Sequence, residues 1–236
     1  LDVGVILPAA GTGKRMGTKE SKQFMPLAGR PVLLHTIDVF DQHPDVSEIV
    51  IAVREEELER TRSLVSAEGY GTPVRVVAGG RERQESVLKA LRVVSAELVM
   101  VHDAVRPFVT HAAIDRLLDA ARLHGAAILG VPVKDTVKVV NDAGIVEETP
   151  DRRKLWAVQT PQAFRREWLL SAHERAASRD GWATDDAMLL EEAGFDVRVV
   201  EGEYTNIKIT TPEDWMVAEA IRKAGRTGHD SHRTRI

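Results

Sequence analysis

The chain contains no cysteine, which excludes disulfides and thiolate metal sites and leaves oxygen and imidazole as side-chain ligands for any metal. Long apolar runs are missing too. The stretch from Val3 to Ala10 is far too short to span a bilayer, and the first residues lack the basic region of a signal peptide. A soluble cytoplasmic protein is the expectation. Charge of one sign is equally scarce: 36 acidic side chains against 32 basic ones give a net charge of -4, which offers no broad surface for nucleic acid or anionic lipid. A small anionic ligand would need only a local cluster of cations. Aromatics make up 5% of the 236 residues and hydrophobics 43%, enough for one sizeable α/β core, and a second independent domain is not expected.

Through the first half, short β-branched or apolar runs alternate with longer amphipathic segments. VGVIL precedes Val32 to Phe40, EIVIAV precedes Glu55 to Glu68, VRVV precedes Glu82 to Val94, and ELVMV follows. This order predicts βαβ units and a mainly parallel sheet, Rossmann-like, with functional residues in the loops beyond the carboxyl ends of the strands. Between Lys134 and Trp156 the pattern becomes TVKVV, a turn at NDAG and IVEETP, the signature of a β-hairpin projecting as an arm. Helices are expected at Arg165 to Ala177 and at Asp185 to Ala193, the second capped by Thr184. A strand at Asp196 to Val200, a strand at NIKIT and a helix from Pro212 complete a domain over residues 1–222, with the arm at about 134–156. From Lys223 to the end, the polar tail shows no apolar periodicity and is expected to be disordered.

Three segments carry chemistry. LPAAGTGKRM, Leu7 to Met16, leaves the first strand with small residues at Ala9, Ala10, Gly11 and Gly13, which let backbone amides approach a ligand, while Lys14 and Arg15 add charge. A triphosphate suits such a loop, although a tight turn needs the same glycines. Gly11, Gly13 and Gly17 are spread one residue too widely for the dinucleotide fingerprint, and no P-loop string occurs. VHDAVRP puts Asp103 just past a strand, where an exposed carboxylate could hold Mg²⁺ or merely cap a turn. Beside it, His102 reads as a packed structural histidine rather than a base. GGRERQES, Gly79 to Ser86, again starts with glycines after a strand, and its Glu82 and Glu85 read as helix-start charges.

PAAGTGKRM followed by KQF resembles the signature of the sugar and polyol nucleotidyltransferases. GGRERQES, VHDAVRP, VKDTVK, DRRKLWAVQTPQAF, ATDDA and NIKIT extend the likeness from Val3 to Ile221, and together they resemble the 2-C-methyl-D-erythritol 4-phosphate cytidylyltransferases. The resemblance implies the nucleotide-diphospho-sugar transferase fold and catalysis by Arg15, Lys22 and Lys208. It implies CTP contacts from Ala9, Ala10, Gly11, Gly13, Gly80, Arg83, Ser86 and Ala104. Acceptor contacts would come from Asp103, Arg106, Thr136, Arg152 and Thr184, with Asp103 also binding Mg²⁺. Thr136 and Arg152 would act in the neighbouring subunit of a homodimer joined through the arm, with Arg153 as the alternative to Arg152.

The implied reaction is attack by the 4-phosphate of methylerythritol phosphate on the α-phosphorus of CTP. A ribitol-5-phosphate cytidylyltransferase would share the CTP pocket. A noncatalytic nucleotide-sensing module would be expected to lose Lys22, Lys208 or Asp103, all of which are present.

Overall fold

The computed structural model describes residues 2–11, 20–179 and 183–230. Four parallel strands with three intervening helices open the fold: β1 (Val3–Pro8), α1 (Val32–Asp41), β4 (Val46–Val53), α2 (Leu58–Glu68), β5 (Val74–Ala78), α3 (Arg83–Leu91) and β6 (Leu98–Val101). Two short strands, β2 (Pro26–Leu27) and β3 (Arg30–Pro31), form a hairpin ahead of α1. Its turn takes positive φ at both Ala28 and Gly29.

The chain continues through α4 (His111–His124), β7 (Ala126–Pro132), the arm strands β8 (Val139–Val140) and β9 (Val146–Glu148), and β10 (Trp156–Arg165). Then come α5 (Arg166–Ala177), α6 (Asp186–Glu192), β11 (Arg198–Glu201) and α7 (Pro212–Asp230). Among the described residues the main sheet has seven strands in the order β11-β7-β10-β6-β1-β4-β5. All pairs are parallel except those made by β10, which runs antiparallel to β6 and β7.

Alternation along the strands divides the core. Val5 and Leu7 face α1 and α4, packing with Leu33, Ile37, Phe40, Ile114 and Leu117. Ile6 faces the opposite way, with Val87 and Leu91 of α3 and Leu169 of α5. A third, smaller cluster joins Leu27 and Val32 to Val105, Ile209 and Ala218, so α7 closes over the hairpin end of the sheet. From β1 the chain builds outward to β4 and β5, then returns to place β6 on the other side of β1. The direction of winding therefore reverses between β1 and β6, and a crevice opens beyond their carboxyl ends.

Three sequence expectations need correction. NIKIT forms no strand, because residues 202–210 are irregular and Ile209 makes a single backbone bond, to the Val105 carbonyl at 3.0 Å. Its apolar alternation instead sends Ile207 and Ile209 into the third cluster. Thr184 does not cap α6. Asp185 does, its carboxylate accepting from the Met188 amide at 2.9 Å. Finally, α7 continues past Lys223 to Asp230, since a helix can run on into solvent without a further apolar stripe once its first turns are anchored. Residues 231–236 lie outside the described residues.

Candidate active site

The crevice is a cleft of about 450 Å³ lined by Pro8, Ala9, Ala10, Gly11, Lys22, Gln23, Arg81, Glu82, Arg83, Ser86, Asp103, Ala104, Val105 and Lys208. Four chain segments meet there: the exit of β1, the turn before β2, the β5–α3 connection and the exit of β6. Lys208 arrives from the irregular segment after β11. The fold thus brings most of the residues expected from sequence to one place, whereas Gly13, Lys14 and Arg15 lie outside the described residues.

Close backbone approach shapes the β5–α3 wall. A Cβ on Gly79 would sit 2.7 Å from the Ser86 hydroxyl and 2.9 Å from the Ala10 Cβ, so only glycine fits between the two loops. The Ser86 hydroxyl accepts from the Gly80 amide at 2.9 Å and donates to the Glu82 carbonyl at 3.2 Å. Ser86 thereby fixes the turn that forms the wall.

At the floor lies Asp103. The expectation of an exposed carboxylate fails here: Asp103 is 8% exposed and is ringed by Lys208 at 3.2 Å, Arg106 at 3.3 Å and Arg83 at 3.5 Å. Burial would raise its pKa, but the Arg83, Lys208 and Arg106 charges overcome that effect and hold the carboxyl well below the usual range. One carboxylate thus gathers three cations, two of them on the cleft wall. Arg106 is turned away from the opening, with its guanidinium also donating to the Asn206 carbonyl at 2.7 Å.

Behind this floor lie His102, buried and hydrogen-bonded as its sequence neighbours suggest, and Asp186, His173, Thr160 and Asn206, which the sequence does not single out. Arg83 also pairs with Asp186 at 2.8 Å, and Asp186 accepts from His173 at 3.0 Å. Asp186 is buried, yet Arg83 and His173 hold its pKa down to about 2. His102 has Nε2 2.8 Å from the Arg106 carbonyl, which can only accept, so Nε2 carries the proton. Its Nδ1 then accepts from Thr160, 2.9 Å away, and Thr160 Oγ1 in turn accepts from the Asp103 amide at 3.0 Å. Asn206 donates to the Thr160 carbonyl at 2.8 Å and to the Gln159 side chain at 3.2 Å. The β10 signature VQTPQ therefore acts as a brace beneath Asp103 and Lys208. No local pattern marks that role, because it needs β10 inserted between β6 and β7.

Gly80 and Arg106 adjoin the cleft without lining it, and three further expected site residues stand outside it. Thr184 lines an adjoining recess of about 200 Å³, which shares Arg83 and Glu82 with the main cleft. Thr136 and Arg152 are exposed on the arm, where Arg152 donates to the Lys134 carbonyl at 2.6 Å. Arg153 is tied by a two-point contact to Asp151 at 3.0 and 2.8 Å.

The model of the 2-C-methyl-D-erythritol 4-phosphate cytidylyltransferase family matches residues 3–224. A protein of that name from Bacillus velezensis is 48% identical over 228 residues, covering 96% of this chain and 98% of its own length. Its namesake from Desulforamulus reducens is 47% identical over 225 residues, with coverage of 94% and 96%. The crystal structure of 4-diphosphocytidyl-2C-methyl-D-erythritol synthase from Anaerococcus prevotii superposes with a TM-score of 0.83 at 33% identity, covering 94% of this chain and 98% of that one. A cytidylyltransferase structure from Thermus thermophilus gives 0.77 at 34% identity, covering 94% and 100%. With its fold, its switch-point cleft and a match spanning nearly all of its length, this chain belongs to the 2-C-methyl-D-erythritol 4-phosphate cytidylyltransferase family.

Proposed function

We infer that the chain transfers CMP from CTP to 2-C-methyl-D-erythritol 4-phosphate, releasing pyrophosphate and forming 4-diphosphocytidyl-2-C-methyl-D-erythritol in the non-mevalonate route to isoprenoid precursors. The observation that carries this reading is the meeting of Lys22, Lys208 and Arg83 around one cleft beside the small-residue exit of β1. Such a site suits a reaction that joins two phosphates.

The acceptor phosphate is already anionic, so no base is required and the side chains have two tasks: alignment, and neutralisation of charge at the α-phosphorus. Lys22 and Lys208 are assigned to that charge, together with Arg15 by resemblance. Ala9, Ala10 and Ala104 leave room for the nucleotide against backbone, while Gly80, Arg83 and Ser86 form the wall assigned to the cytosine. Asp103 holds the Lys208 ammonium within the cleft, 3.2 Å from its carboxylate.

A divalent metal belongs to the same reading. Among the described residues no group of three or more His, Cys, Asp or Glu is disposed to hold one, and Asp103 is a single carboxylate with three cationic neighbours. That donor set fits Mg²⁺ arriving on the triphosphate and taking one protein oxygen, with phosphate and water supplying the rest. Asp103 would hold it, and the bound ion would withdraw charge from the phosphate oxygens.

The exposed valines of the arm, Val139, Val140 and Val146, with Ile145, support pairing of two arms in a homodimer, because a two-stranded hairpin is marginal alone. Thr136 and Arg152 are then assigned to the acceptor in the partner's cleft. No helix among the described residues is long and apolar enough to cross a membrane; since CTP is made inside the cell, we assign the enzyme to the cytoplasm.

Incubation with CTP, 2-C-methyl-D-erythritol 4-phosphate and Mg²⁺ should yield pyrophosphate and the cytidine diphosphate product, and chelation of the metal should stop it. Ribitol 5-phosphate run in parallel should give far less. Absence of product beside an active control enzyme defeats the assignment.

A further inference from the structure

The Lys22 turn rests on a buried carboxylate that the reaction outlined above does not use. Lys22 opens the short helical turn Lys22–Phe24, closed by bonds from the Phe24 amide to the Ser21 carbonyl and from the Met25 amide to the Lys22 carbonyl. Its two neighbours in the chain, Ser21 and Gln23, are both buried. Both reach the same side chain, Glu57, which is 7% exposed at the start of α2.

Ser21 donates to Glu57 Oε1, and Gln23 Nε2 donates to Glu57 Oε2 at 3.2 Å. Arg54, just beyond β4, donates to Glu57 Oε1 at 2.6 Å and to the Ser21 hydroxyl at 2.9 Å. Gln23 spends its other amide proton on the Ala9 carbonyl at 2.5 Å. One amide group thus links Glu57 to the point where β1 becomes the small-residue loop.

Donor logic makes the carboxylate specific. The Ala9 carbonyl can only accept, so Gln23 cannot turn its oxygen toward it and must present NH₂ to Glu57 as well. Arg54 can only donate. Both oxygens at position 57 therefore face donors, and a glutamine there would set its own NH₂ against either Arg54 or Gln23. Burying a carboxylate is costly unless such partners surround it. Simple packing between α2 and the Lys22 turn would be met by an apolar residue; a fixed orientation of the turn relative to β1 is what the charged network adds.

We propose that Glu57 is a positioning residue that, through Ser21 and Gln23, sets Lys22 in register with the loop leaving β1. The inference rests on the assignment of Lys22 to transition-state charge. In Glu57→Gln the turn loses one of its ties, and the ammonium no longer keeps its place against the phosphate.

Steady-state and single-turnover transfer of CMP from CTP to 2-C-methyl-D-erythritol 4-phosphate tests this in the parent, Lys22→Ala, Glu57→Gln and the double variant, each assayed well below its measured melting midpoint. Glu57→Gln should lower kcat about tenfold or more with the KM for CTP within about threefold, since misplacement acts on the transition state. In the Lys22→Ala background the same change should cost nothing further, a coupling that loss of general stability would not produce. Parent-like kcat in Glu57→Gln, or an equal fold loss in both backgrounds, overturns the proposal. Should Glu57→Gln fail to fold, Gln23→Met, which cuts the ties to Ala9 and Glu57 but spares the Arg54 pair, goes through the same cycle with the same two readings. Parent-like turnover in Lys22→Ala would instead overturn the assignment of Lys22 and this inference with it, a result distinct from failure of the Glu57 variant alone.

Discussion

Lys22 and His102 illustrate how differently two polar residues can serve one site. Lys22 lies on the cleft wall, and in the proposed reaction its charge would matter most when the α-phosphorus becomes pentacoordinate. Lys22→Ala should therefore lower turnover about a hundredfold or more, with a much smaller change in CTP affinity measured by calorimetry. Retention of near-normal turnover would make it an ordinary wall residue.

His102 never meets the cleft, and burial pushes it from its ordinary 6.5 down to about 4. The unfolded chain takes up that proton below about pH 6.5, whereas the folded chain resists it until about pH 4. Stability is thus lost as pH falls through this window, on the order of 3 kcal/mol by its lower end. The Asp103 and Asp186 carboxyls are held below their ordinary values, so their own losses begin lower, under about pH 4. His102→Asn keeps an acceptor for Thr160 and removes the titration. Its denaturation midpoint should fall less steeply than the parent's between pH 6.5 and 4, and identical slopes would contradict the burial argument.

At the scale of elements, α6 shows how a short helix is fixed next to the site. It has only seven residues, too few to be stable by propensity. Asp185 holds its start twice over: one carboxylate oxygen accepts from the Met188 amide at 2.9 Å and the other from Gln162 at 3.0 Å. Gln162 in turn accepts from the Ala187 amide at 3.2 Å. Asp185→Ala should cost about 1–2 kcal/mol in chemical denaturation, the range for losing an N-cap with a further bond. Because α6 carries Asp186 to Arg83, turnover should fall as well. A stability loss within experimental error would show that packing of Leu189 and Leu190 alone holds α6.

For the whole molecule, the issue is where one site ends. Thr136 and Arg152 are absent from the cleft lining of their own chain, and the arm that bears them exposes its valines. If the arms pair, Lys22→Ala and Arg152→Ala homodimers are each inactive, whereas a mixed dimer has one site with both residues intact. Equal amounts reassort to roughly half mixed dimers, so activity should recover to about a quarter of the parent level if sites are independent. Mass spectrometry of intact dimers verifies the exchange. Verified mixed dimers without recovery would confine Arg152 to its own subunit or remove it from the acceptor site.

Much of this protein is determined locally. The apolar runs of β1, β4, β5 and β6 and the amphipathic stretches between them define a parallel sheet because the two periodicities differ. The small residues at Ala9, Ala10, Gly79 and Gly80 mark where backbones approach closely. The arm is equally legible, since Asn141 and Gly144 supply its turn: the Asn141 side chain accepts from the Ala143 and Ile145 amides, both at 3.0 Å, and Gly144 takes φ of 79°.

Other features depend on which strands become neighbours. NIKIT has the alternation of a strand, yet it joins no strand of the seven-stranded sheet, and its isoleucines pack with Leu27, Val32 and Ala218 of α7 instead. Asp103 reads as an exposed metal ligand in sequence, but Arg83 and Lys208 arrive from distant segments to join its near neighbour Arg106 around it, and the carboxylate is buried. The pairs Glu57 with Gln23 and Asp186 with Arg83 lie 34 and 103 residues apart. Residues that distant have no periodicity in common; the pairing of β4 with β1 brings Glu57 to the Lys22 turn, and the shared packing of α3, α5 and α6 brings Asp186 to Arg83.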